Sequence, residues 1–222
     1  MQSKYCLPII RNSKSDVISL LREKESDYGY FEIWIDYIED LDDEFVDDLL
    51  EEYEDRLVFI FRRNDMSQPM LKQTKKLEIF NKLKSKKCYV DLDIYHQKED
   101  LKYAENLNLI ISYHNYEETP DNGTLDKIVK EIKDFKPAII KISTMCIKPD
   151  DSLRLLRVKR DLLEAEEKHI VLGMGEAGKI TRVFGALWGN ELIFIPESDT
   201  EASAPGQISR SDFDEIINRI KK

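Results

Sequence analysis

Leu107-Asn108-Leu109-Ile110-Ile111-Ser112-Tyr113-His114 and Ala138-Ile139-Ile140-Lys141-Ile142 decide the fold. Both are apolar runs rich in β-branched residues, without the strict alternation of a strand that has one wet face. Runs of this kind are the strands of parallel sheets that helices cover on both sides. Between them, residues 125–135 repeat apolar side chains at helical spacing, which makes a strand–helix–strand unit. The same alternation extends outward. Strands are predicted at residues 5–10, 30–38, 57–62, 88–95, 107–114, 138–145, 169–174 and 191–196. Helices are predicted at 15–24, 43–53, 70–86, 98–105, 125–135, 152–168, 180–188 and 211–222. Asp151 or Ser152, and Ser211, are the expected N-caps of the sixth and eighth helices.

Eight strands alternating with eight helices point to a (β/α)8 TIM barrel spanning residues 1–222 as one domain, since no Gly/Pro/Ser-rich linker divides the chain. The competing doubly wound sheet carries a glycine-rich turn after its first strand, and Arg11-Asn12-Ser13-Lys14 is not one. The chain has 222 residues, 41% of them hydrophobic and 35% charged, with a net charge of −10. That balance supports a real core and argues against nucleic acid as a partner, because phosphate contacts need a basic surface. It does not exclude an anionic substrate, since local arginines can make a positive pocket. Cys6, Cys88 and Cys146 are few and widely spaced, which reads as reduced thiols rather than disulfides or a metal site. No signal-peptide core and no membrane-length apolar run is present, so a soluble cytoplasmic protein without a membrane partner is expected. The acidic run at 39–44 reads as a solvated face.

In a barrel, chemistry belongs to polar residues at strand C-termini and the loops after them. Those are Glu32 and Asp36, Arg62 and Arg63, Asp91 and Asp93, His114, Lys141 and Met174, then the loops Gly173-Met174-Gly175-Glu176-Ala177-Gly178-Lys179-Ile180-Thr181-Arg182 and Glu201-Ala202-Ser203-Ala204-Pro205-Gly206-Gln207. An ammonium inside a dry strand is costly, whereas a desolvated lysine has a lowered pKa and a neutral amine able to attack a carbonyl. A histidine one element away can move protons near neutral pH. Each residue also has a plain reading: Lys141 as a salt-bridged barrel residue, Arg182 as a helix partner, Ser203 and Gln207 as loop residues, Asp91 and Asp93 as an interior polar layer. His96 and His169 are read as structural.

Four segments resemble the type I 3-dehydroquinate dehydratases. Ser112-Tyr113-His114-Asn115-Tyr116-Glu117-Glu118-Thr119-Pro120 is similar to the family's S-[YH]-H-[DN]-F-x-x-T-P stretch, and Lys141 follows His114 by 27 residues, as the family's Schiff-base lysine follows its histidine. Gly178-Lys179-Ile180-Thr181-Arg182 resembles G-[KR]-[IL]-S-R, and Ala204-Pro205-Gly206-Gln207 resembles the A-P-G-Q lid. The resemblance implies dehydration of 3-dehydroquinate to 3-dehydroshikimate in the shikimate pathway, with Lys141 forming the imine and His114 moving the proton. It further implies Glu32, Arg62, Arg182, Ser203 and Gln207 as substrate-binding residues, a lid near residues 198–209, no metal or organic cofactor, and a homodimer.

The chain departs from the family pattern in two places. Trp34 stands where the E-x-R-x-D segment has arginine, and Arg62-Arg63-Asn64-Asp65-Met66-Ser67-Gln68 lacks the E-G-G that follows the family's third-strand arginine. Either Arg63 or Asn64 supplies the missing contacts, or the pocket takes a related hydroxy-ketone acid, or catalysis has weakened toward metabolite binding. Trp34→Arg is expected to improve substrate affinity, and a null or worse result would mean a pocket rebuilt around the tryptophan. A lysine-imine aldolase on a similar barrel is the remaining rival, with Gly173-x-Gly175 as its candidate phosphate turn.

Overall fold

The computed structural model describes residues 4–63 and 71–222. Eight parallel strands alternate with eight α-helices in the order expected. The strands are β1 (Tyr5–Ile9), β2 (Tyr30–Trp34), β3 (Leu57–Ile60), β4 (Tyr89–Asp93), β5 (Asn108–Asn115), β6 (Ile139–Met145), β7 (His169–Met174) and β8 (Ile193–Phe194). The helices are α1 (Lys14–Lys24), α2 (Asp43–Tyr53), α3 (Gln73–Leu83), α4 (Lys98–Leu101), α5 (Asn122–Asp134), α6 (Pro149–Glu164), α7 (Lys179–Leu187) and α8 (Arg210–Ile220). The hydrogen-bonded strand order is β7-β6-β5-β4-β3-β2-β1-β8. The fold is a (β/α)8 barrel. The chain forms two compact units, residues 1–110 and 111–222.

In the first unit β1 pairs with β2, β2 with β3 and β3 with β4, with Glu32 opposite Pro8 on one side and Val58 on the other. Phe31, Ile33, Phe59, Phe61 and Phe80 fill its interior, the last two edge to face at 4.9 Å between ring centroids. β2 ends at Trp34 rather than 38, because residues Ile35–Tyr37 turn into a 3-10 helix. The turn brings Asp36 round to accept from the Arg62 and Leu71 amides at 2.8 and 2.7 Å. The acidic run 39–44 is more than a solvated face: Asp42 caps α2 by accepting from the Phe45 amide, and Asp43 pairs with Lys75 at 2.6 Å.

In the second unit β7 pairs along its whole length with β6, from His169 opposite Ile140 to Met174 opposite Met145. Two caps differ from expectation. α6 starts at Pro149, whose fixed φ suits the first helical position. Lys148 is its N-cap, and Asp151 turns back to accept from the Lys148 and Ile147 amides at 3.1 and 2.8 Å. α8 starts after Ser209, whose carbonyl takes the Phe213 amide, and Ser211 lies inside the first turn. α5 begins three residues earlier than its apolar pattern, because Asp121 caps it through the Thr124 amide at 3.0 Å. Cys6, Cys88 and Cys146 are all buried free thiols, and burial pushes the Cys88 thiol up to about 12. No cluster of three or more potential metal ligands occurs among the described residues, and no helix there is long and apolar enough to cross a membrane.

Candidate active site

In the second unit Lys141 is the third residue of β6, so it lies within the strand rather than at its end, as the sequence suggested. The residues after it continue the ladder to Met145 opposite Met174. Lys141 is buried, with Nζ 4.4 Å from the centroid of the Phe194 ring on β8. A ring face attracts an ammonium and equally shields an amine from water. His114 is the penultimate residue of β5 and is buried, its ring nearly parallel to that of Tyr116 at 6.4 Å. After His114, Thr119 ties the following loop to the end of β6: its hydroxyl donates to the Met145 carbonyl at 2.7 Å and lies 2.8 Å from the Thr144 hydroxyl.

The glycine run after β7 is a packing device. A Cβ on Gly173 would lie 2.6 Å from Cys146 Sγ, and one on Gly178 only 2.5 Å from the Gly173 carbonyl carbon. Thr181 closes the join, its hydroxyl accepting from the Gly173 amide at 2.6 Å and donating to the Gly178 carbonyl at 2.7 Å. Gly175 donates to the Pro205 carbonyl at 3.2 Å. These glycines are thus accounted for by close backbone approach, which takes away the reason to read Gly173-x-Gly175 as a phosphate turn.

That join aims Arg182 from the first turn of α7. Arg182 is buried, its Nη2 donates to the Pro205 carbonyl at 3.3 Å, and its Nε has no hydrogen-bond partner among the described residues. It forms no ion pair with them either, so it is not the helix partner of the plain reading. Burial pushes the guanidinium down to about 10, with Cys146 opposing. It is still a cation at neutral pH, and a desolvated guanidinium with an unused N–H suits a planar carboxylate. Ser203 and Gln207 are brought together: Gln207 Oε1 accepts from the Ser203 amide at 2.7 Å, and Gln207 Nε2 donates to the Ser203 hydroxyl at 3.1 Å. In this state they close their own turn.

In the first unit Glu32 and Arg62 are both buried. Trp34 Nε1 donates to Glu32 Oε2 at 2.9 Å, and Arg62 Nη1 donates to the Tyr37 hydroxyl, with the guanidinium 4.8 Å from the Tyr37 ring centroid. Asp91 and Asp93 share one face of β4, yet Asp93 serves the turn after it, accepting from the Tyr95 and His96 amides at 3.0 and 2.9 Å. His169 is structural, as read: its ring lies 3.0 Å from Lys159 Nζ and 2.7 Å from the Glu167 carbonyl. Asn64 lies outside the described residues. Phe194 and Tyr37 are the site residues that sequence reasoning did not single out. Phe194 lies in the strand predicted at 191–196 but belongs to no motif that marks it, and the aromatic pair at 34 and 37 is visible in the sequence only as an absent arginine.

The sequence model of the type I 3-dehydroquinase family matches residues 5–222. The chain belongs to that family. It is 30% identical to the 3-dehydroquinate dehydratase of Pyrococcus abyssi over 220 residues, covering 96% of this chain and 92% of that one. Against the Methanococcus maripaludis 3-dehydroquinate dehydratase the identity is 29% over 97% of this chain and 99% of the relative. The match to the Streptococcus gordonii 3-dehydroquinate dehydratase is 36% identical but covers 58% of this chain and only 56% of that protein's length. Among solved structures, the 3-dehydroquinate dehydratase of Geobacillus kaustophilus superposes with a TM-score of 0.81 at 23% identity, over 98% of this chain and 90% of that one. The type I 3-dehydroquinate dehydratase of Clostridium difficile, solved with covalently modified comenic acid, gives 0.81 at 22%, over 99% and 92%. At those identities the likeness is one of fold, and it is the fold described above.

Proposed function

We propose that this type I dehydroquinase chain converts 3-dehydroquinate to 3-dehydroshikimate through an imine on Lys141. The observation that carries the reading is the buried Lys141 amine beside the Phe194 ring in a chain of this family. The deprotonated amine adds to the ring ketone and water leaves, giving an iminium that acidifies the adjacent C–H. His114 takes that proton, the electron pair moves toward the iminium, and the hydroxyl on the next carbon departs with a proton returned by His114. Water then hydrolyses the conjugated imine and frees the lysine. Arg182 binds the substrate carboxylate through its unused N–H, while Glu32 and Arg62 meet the hydroxyl side.

The reading extends to residues 198–209 as a lid in a single working barrel, with Ser203 and Gln207 exchanging their mutual hydrogen bonds for substrate when it binds. It includes a cytoplasmic homodimer and no cofactor, since the lysine is itself the electrophilic catalyst. The test is intact-protein mass after 3-dehydroquinate and borohydride, with Lys141→Ala alongside. A reduced adduct on the wild type alone is expected. Wild-type turnover from Lys141→Ala would sink the imine mechanism.

A further inference from the structure

Two buried charges of the first unit, Glu32 and Arg62, are each held by an aromatic side chain. Glu32 and Trp34 are two residues apart on β2, so both project from the same face, and the indole N–H reaches the carboxylate at 2.9 Å. Tyr37, in the 3-10 turn that follows, accepts from Arg62 through its hydroxyl and lies under the guanidinium with its ring. Trp34 and Tyr37 touch edge to face, with centroids 6.0 Å apart and planes at 69°. Glu32, Trp34, Tyr37 and Arg62 therefore form one continuous chain of contacts. Arg62 keeps a buried Nε that has no hydrogen-bond partner among the described residues. Asp36, beneath the turn, spends its carboxylate on the Arg62 and Leu71 amides.

Taking the dehydratase reading as its base, we propose that Trp34 and Tyr37 are positioning residues which hold Glu32 and Arg62 toward substrate, in a pocket built around the tryptophan. A neutral indole gives Glu32 a hydrogen-bond donor without adding a further cation near the buried Arg62 and Arg63. Tyr37 orients the guanidinium by a hydroxyl and a ring face, a geometry specific to an aromatic neighbour. Arginine at position 34 brings a further cation toward Tyr37 and Arg62 and removes the edge-to-face packing. The expectation drawn from the sequence alone is thereby reversed: Trp34→Arg lowers affinity for substrate.

The test is a double-mutant cycle with steady-state kinetics on 3-dehydroquinate and borohydride trapping on every variant. Trp34→Phe keeps a ring and deletes the donor, and is expected to lower kcat/KM by about tenfold or more, the loss typical of a hydrogen bond to a charged group. In a Glu32→Ala background the same change has little further effect, because Trp34 acts through Glu32; a merely structural role would make the two losses multiply. Tyr37→Phe keeps the ring and removes the hydroxyl, and raises KM more than it lowers kcat. It also serves as the second handle should Trp34→Phe unfold at assay temperature. Independent effects of Trp34→Phe and Glu32→Ala, unchanged KM in Tyr37→Phe, or tighter substrate binding in Trp34→Arg would each overturn the inference while leaving the dehydratase reading intact. A wild type that neither turns over nor traps an adduct overturns both.

Discussion

Replacing Gly206 by alanine tests whether the 203–207 turn is a working part of the site. Gly206 has φ +76°, and a Cβ there would lie 2.5 Å from the Gly175 carbonyl oxygen and 2.9 Å from the Gly175 nitrogen. Both are backbone atoms that cannot swing away. The left-handed conformation costs alanine about 1–2 kcal/mol. To relieve the clash the turn must also retreat, which frees the Pro205 carbonyl from the Gly175 amide and from Arg182. A neutral hydrogen bond is worth about 1 kcal/mol and one to a charged group about 1.5–3 kcal/mol. Together these exceed what a short surface turn can bear, so it detaches, and the cost to the whole fold stops at the turn's own interactions.

Steady-state kinetics and thermal unfolding on the same variants separate the two effects. Gly206→Ala is expected to raise KM by about tenfold or more, the worth of one charge-assisted hydrogen bond that the detached turn no longer makes on closure. The control is Gly189→Ala, also at positive φ (+92°) but with Leu163 Cδ1 at 3.9 Å as the nearest atom. That variant carries only the backbone cost, about 1–2 kcal/mol or a fall of about 2–8 °C in Tm for a chain of this size, with KM unchanged. Unchanged KM and kcat in Gly206→Ala would refute the reasoning and make the turn a bystander.

Arg182→Lys keeps the charge and loses the fork, so KM for substrate should rise by about tenfold while kcat changes less; an unchanged KM would remove Arg182 from carboxylate binding. Asn190→Ala takes an acceptor from the buried Lys159 amine (2.8 Å) and partners from both polar groups of the Val171 backbone, each worth about 1–3 kcal/mol when left unsatisfied, so urea unfolding should show a loss of about 3 kcal/mol or more, with kinetics preserved below Tm. Acid should destabilise through three exposed carboxylates held below their ordinary value of 3.8: Asp42 by its hydrogen bond to Lys14, Asp43 by Lys75 and Asp121 by the Thr124 amide. Their depressed folded-state values favour the fold when ionised, so that contribution is complete at neutral pH and fades as pH falls below about 4. Thermal scans from pH 6 to 2.5 should show Asp121→Asn flattening part of that decline.

Most of the barrel is legible in the sequence because the β runs are apolar and flanked by helical spacing, and all eight strands, even the two-residue β8, lie where those runs are. The misplaced ends have particular causes. Position 35 leaves the sheet because Asp36 is needed by two amides across the following loop, and no periodicity encodes that. The α6 start is hard to read because Asp151 looks like a cap, whereas Pro149 has already begun the helix and Asp151 reaches backward. In the candidate site, Lys141, His114 and Arg182 are visible through the family motifs that their segments resemble. Phe194 is not, since its relation to Lys141 is made by β8, a strand of two residues.

The structure also separates the motif residues that the fold requires from those it does not. Gly173, Gly178 and Gly206 are demanded by approaches that leave no room for a Cβ, and Gly175 lies at the same crossing. Thr119 and Thr181 fasten loops to strand ends. Such residues would be kept in a silent barrel, so their presence says little about turnover. Lys141 and Arg182 stand differently: each sets an ionisable side chain into the interior, where an apolar side chain of similar volume would pack as well or better. Arg182 carries an N–H that the described residues leave unused, and Ser112 buries a hydroxyl with no partner among them. On the proposed mechanism, a chain drifting toward simple binding would be expected to shed the buried lysine first, because its part is in the imine chemistry. A lysine buried beside Phe194 is what supports the proposed dehydratase activity, and the borohydride adduct is the direct measure of it.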